Sequence, residues 1–146
     1  MAGNTIEQSA VSISTAASWA AVARDYRALV DRRIADGPLA LPPQLPRSAT
    51  RESVNAIVAW VHRSVRGTGI ELGNSSITPS TPADAAKRGF ADGKDKATVM
   101  VALLRQAGIR ADLVLLSVGP GADLDPSLPG MAVFDHAIVR ARVGAT

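Results

Sequence analysis

The sequence predicts an α+β domain, and three observations carry the prediction. Four helix signals occupy positions 18–107, and two strand-length segments with apolar or alternating character follow, 111–118 and 133–143. The length, 146 residues, suits one domain with a real core, and no internal repeat or second domain is visible. We read 1–146 as a single unit in which 1–14, small and polar, is loose and 15–143 forms the core.

The elements can be justified in order. Between 18 and 34, Trp19, Val22, Tyr26, Leu29, Val30 and Ile34 recur at helical spacing with charges between them, and Gly37-Pro38 stops the helix. The stretch 38–46 holds four prolines and reads as an extended connector on the surface. A second helix is predicted over 51–65, with Val54, Ile57, Val58, Val61 and Val65 as its apolar stripe and Gly67 and Gly69 beyond its end. Residues 70–81 are irregular, with Gly73 and Asn74 as turn formers. Thr81-Pro82 has the form of an N-cap followed by proline at the first helical position, opening a short helix to about Arg88. Asp92 caps the strongest helix, 94–107, which Gly108 closes. The largely apolar run 111–118 suits a central strand. A loop rich in Gly and Pro leads to a second strand, 133–143.

Composition removes several function classes. Aromatic residues make up 3% of the chain, so Ala, Val, Leu and Ile must fill the core. There is no cysteine, which excludes disulfides, thiolate metal sites and a thiol nucleophile. Two histidines without an HExxH pattern argue against a protein-built metal site, and no cofactor is expected. The net charge of +3 comes from 16 basic and 13 acidic residues, and the basic ones are scattered along the chain. No nucleic-acid partner is therefore expected. No apolar run reaches membrane-spanning length, and no basic segment followed by an apolar one opens the chain, so the expectation is a cytoplasmic protein without a membrane partner.

Two motifs stand out. One reads Ala91-Asp92-Gly93-Lys94-Asp95-Lys96-Ala97, and the other Phe134-Asp135-His136-Ala137-Ile138-Val139. Together with the segments 70–118 and 125–143 around them, they resemble bacterial transglutaminase-like domains. In that family a GDCKDKA sequence opens the central helix and supplies the nucleophile, a strand supplies the histidine, and an Asp on the next strand orients it. The resemblance implies a papain-like core, a central helix packed on a small antiparallel sheet. It also implies one that is C-terminally truncated, because the strand for the orienting Asp has no counterpart before Thr146. Gly93 stands where the family has its cysteine, and Ala91 where it has glycine. Acyl-enzyme chemistry cannot be carried over.

The altered site supports two readings. A helix start offers free N–H groups, and Gly93 leaves room beside them, so Gly93 and Lys94 are candidate ligand-binding residues for a small anionic or carbonyl compound. The resemblance places His136 across this gap for acid–base work in a cyclisation, addition or isomerisation. Asp92 and Asp95 are its candidate partners, since Asp135 should point to the other face of the strand. Against this, Asp92 can be a helix cap, Lys94, Asp95 and Lys96 a solvated face or structural ion pair, and His136 a core histidine. Trp19, Tyr26 and Trp60 read as core anchors and His62 as a surface residue. The first reading is a thiol-independent enzyme, preferred because the site keeps its histidine and polar helix start. The second is a catalytically dead binding or scaffold module of a larger protein or complex. An exposed sheet edge is open to a second copy, as in a homodimer, or to a partner domain.

Overall fold

A computed structural model describes residues 13–68, 77–118 and 124–144, and shows an α+β arrangement of four helices and two small sheets among them. The expected loose residues up to 12, the turn formers Gly73 and Asn74, and Gly69, Gly119 and Gly121 lie outside the described residues.

The first helix, α1, spans Trp19–Asp36, with the Ser18 hydroxyl accepting from the Ala21 amide at 3.1 Å. Tyr26 and Val30 are its buried residues. Glycine at 37 is a matter of space. A Cβ there would come within 2.5 Å of Thr81 Cβ and Oγ1, and the Gly37 carbonyl accepts from the Ala83 amide at 3.1 Å. The end of α1 can therefore touch the start of a later helix only without a side chain.

The proline-rich stretch 38–46 departs from expectation. Its prolines space the chain, but Leu41 and Leu45 are core residues, only 3% and 7% exposed. The segment is also tied down: the Leu41 amide donates to Gln106 Oε1 at 2.9 Å, and Gln106 Nε2 donates to the Leu39 carbonyl. Apolar side chains between prolines satisfy the core as well as a helix stripe does.

Helix α2 spans Arg51–Ser64, capped by Thr50; its Ile57 and Val61, and Val65 at its C-terminal cap, are completely buried. Beyond it comes a short strand, β1 (Arg66–Gly67), where a simple helix end was expected. Helix α3, Pro82–Arg88, has Thr81 as N-cap and proline in its first turn, as its sequence implies. Then β2, Phe90–Ala91, pairs in parallel with β1, Arg66 opposite Phe90 and Gly67 opposite Ala91.

Helix α4, Gly93–Gln106, is the centre of the molecule, packing against α1, α2, α3 and both strands of the second sheet. Val99, Val101 and Leu103 are fully buried and Leu104 nearly so. Gly108 follows at φ +83°, a left-handed turn that glycine adopts without cost. The chain then runs into β3, Arg110–Leu116, which pairs antiparallel with β4, His136–Arg142. Leu113 faces Val139 and Ala111 faces Ala141, and these side chains pack against the core. Two details differ from expectation. Strand β4 begins at His136, with residues 131–133 in bends and turns, and β3 pairs with β4 alone among the described residues.

Candidate functional site

The start of α4 is built from charged residues that the core holds. Asp92 is the N-cap, its Oδ1 accepting from the Asp95 amide at 3.0 Å, and its Oδ2 forms an ion pair with Lys94 Nζ. Lys94 and Asp92 are 6% and 9% exposed. Asp95, also buried, accepts from the Ser80 amide at 2.7 Å and from the Arg88 guanidinium at 3.0 Å. Two carboxylates are thereby matched by two cations. From α1, Tyr26 approaches this group. Its phenol is pushed up to about 12 by burial first, then by the negative charges of Asp92 and Asp95. Of the two alternatives for Lys94 and Asp95, the structural ion pair holds and the solvated face does not. Desolvation this deep is tolerated because each charge has a partner.

Gly93 is exposed, and a Cβ there would meet nothing within 4 Å. His136 is exposed too, so the core-histidine alternative does not hold. It opens β4 opposite Leu116, on the sheet face it shares with the exposed Ile138 and Arg140. Ala137, Val139 and Ala141 alternate with them and are less exposed, Val139 and Ala141 packing on the core. Asp135 precedes the strand and accepts from the Val118 amide at 3.0 Å. Asp92, Lys94 and Asp95 form one buried network with Gly93 open beside it, and His136 stands exposed at the start of β4. His62 is exposed in the last turn of α2, as expected. Among the described residues, no group of three or more His, Asp or Glu side chains could hold a metal ion, and no helix is long and apolar enough to cross a membrane.

A cleft of about 370 Å³ opens elsewhere, between α1 and the β3–β4 sheet, and neither Gly93 nor His136 lines it. Its apolar walls come from Val22 and Val30 of α1, Leu113 and Leu115 of β3, and Met131 and Phe134. Trp19 belongs here, not to the core. Its indole meets Phe134 edge-on at 5.8 Å between centroids and donates to the Asp125 carbonyl at 3.1 Å. One end of the cleft is charged. Asp112 pairs with Arg140 at 3.0 Å and Arg27 at 3.6 Å, and Arg105 pairs with Asp31 at 2.6 Å. The Arg140 hydrogen bond holds the Asp112 carboxyl below its usual range; burial opposes it, and the charges of Arg27, Arg140 and Arg105 add smaller pulls in the same downward direction. Sequence reading missed this cleft because its facing apolar walls, on α1 and β3, lie more than eighty positions apart in the chain.

No family model matches the chain, and no curated protein matches it. Among solved structures, it is similar to a proposed protease from Parabacteroides distasonis ATCC 8503, at 19% identity and a TM-score of 0.67. The match covers 88% of this chain and 25% of that one, so the chain spans about a quarter of the structure it resembles. This likeness concerns the fold.

Proposed function

We propose that the chain is a non-catalytic, transglutaminase-like binding module that takes a small apolar ligand in the cleft between α1 and β3. The cleft itself carries the reading. At about 370 Å³, with apolar walls and a few charged groups at one end, it has the size and character of small-molecule sites. The start of α4 supports the same view, since Asp92, Lys94 and Asp95 hold one another and the elements around them. Without a nucleophile at Gly93, and with His136 on the exposed side of the sheet, nothing there is poised for acyl transfer. Acid–base chemistry would require the imidazole and the helix start to share a pocket, and the position of His136 weighs against it.

The test uses a neutral apolar fluorophore, N-phenyl-1-naphthylamine, with a Trp60→Phe variant in which Trp19 is the sole tryptophan. Saturable one-to-one binding with quenching of Trp19 is expected. Ala23→Arg, which projects a long side chain into the cleft from an exposed helical position, should weaken it at least tenfold. Failure to bind, or binding indifferent to Ala23→Arg in a folded protein, defeats the proposal. So does turnover of peptide or amide substrates with an acyl adduct in the intact mass.

A further inference from the structure

Beside the cleft lies a second, more open basin of about 470 Å³. The fold brings five arginines to its lining: Arg27 from α1, Arg105 from α4, Arg110 from β3, and Arg140 and Arg142 from β4. Among the described residues, Asp112 is the one acidic member of the lining. Even when Asp31, the partner of Arg105, is counted as well, five cations face two anions among the described residues, and three positive charges are left over.

The strand register adds a second, independent observation. Arg110 and Arg142 are direct cross-strand partners. Like charges placed opposite each other in an antiparallel pair destabilise it. Neither of these two arginines makes an ion pair among the described residues, in contrast to Arg27, Arg105 and Arg140. An arrangement that opposes the fold in isolation is relieved when an anion lies between the two guanidinium groups.

The side-chain type narrows the class of anion. Among the described residues, every cation in the basin is arginine and none is lysine. Guanidinium groups offer paired N–H donors that match the spacing of phosphate oxygens, and they lose less on leaving water than an ammonium does. A multiply charged anion also gains most from several converging cations.

We propose that this basin is a binding site for a small phosphate-bearing molecule, a phosphomonoester or diphosphate. The site goes beyond the apolar cleft and does not depend on its being occupied.

The experiment is a calorimetric titration of the whole chain with inorganic pyrophosphate at constant ionic strength, with sodium chloride as the matched control. One-to-one saturable binding is expected for pyrophosphate and none for chloride. Arg110→Gln/Arg142→Gln should weaken it at least tenfold, and Arg142→Gln alone should weaken it by less. Arg24→Gln, whose guanidinium pairs with Asp25 outside the basin, should leave it unchanged. The melting temperature of the unliganded double variant guards against misreading. Removing a like-charge contact should leave it equal to or above that of the parent. The proposal is overturned by absent saturation, by an equal response to chloride, or by undiminished binding in the double variant. A markedly lower melting temperature for that variant also overturns it, because the two arginines would then serve the fold.

Discussion

At the scale of single residues, burial decides more than residue type. Asp92 was legible as a cap, because an aspartate just before an apolar-periodic run can accept from the third amide on, and it does so from Asp95. Lys94 and Asp95 were not legible as buried groups. Adjacent charges at a helix start usually face water, and contacts with elements distant in sequence remove these from it. Tyr26 makes the burial measurable. It is the one tyrosine in the chain, so tyrosinate absorbance reports it alone. Its phenol should titrate near 12 in the folded protein against the ordinary 10.0. Because the folded value is the higher, the associated stability is complete below pH 10 and declines as pH rises from 10 towards 12. A spectrophotometric midpoint near 10 in folded protein would show that neither burial nor the two carboxylates acts on the ring.

Among the elements, helical period was legible and short pairing was not. All four helices occur where spacing and capping residues put them, within two residues at their ends. The two-residue strands β1 and β2 have no period to read, and Leu41 and Leu45 sit in a proline-rich stretch that mimics a surface loop. In these cases contact partners distant in sequence chose the structure. The junction of α1 with α3 offers a direct check. Gly37→Ala should destabilise the protein by about 1–3 kcal/mol, as overpacking generally does, because the new methyl meets the Thr81 side chain at its own Cβ. Since Thr81 also caps α3, it cannot turn away without giving up the Asp84 amide. Urea unfolding measures the loss. A variant as stable as the parent would mean that the two helix ends separate freely.

For the molecule as a whole, the buried network acts as a junction where α1, α3, α4 and the segment at Ser80 meet. Lys94→Met leaves the Asp92 carboxylate buried with its cation removed and should cost about 3–5 kcal/mol. Lys94→Met/Asp92→Asn should recover much of that, since asparagine still caps the helix and no charge is stranded. Chemical denaturation of both variants checks the pattern; a single-variant loss under about 1 kcal/mol would mean the pair behaves as a surface ion pair. The arginine basin is likewise a property of the whole. Its five members are drawn from four elements between positions 27 and 142, and no window of sequence shows them together. The amide of Gln106 has a mechanical consequence. By gripping the Leu39 carbonyl and the Leu41 amide at once, it does for the proline-rich crossing what a neighbouring strand would do, and so acts as a latch between the end of α4 and the link from α1 to α2. The Leu41 amide, although outside any helix or strand, can then exchange its hydrogen with water only when that latch opens.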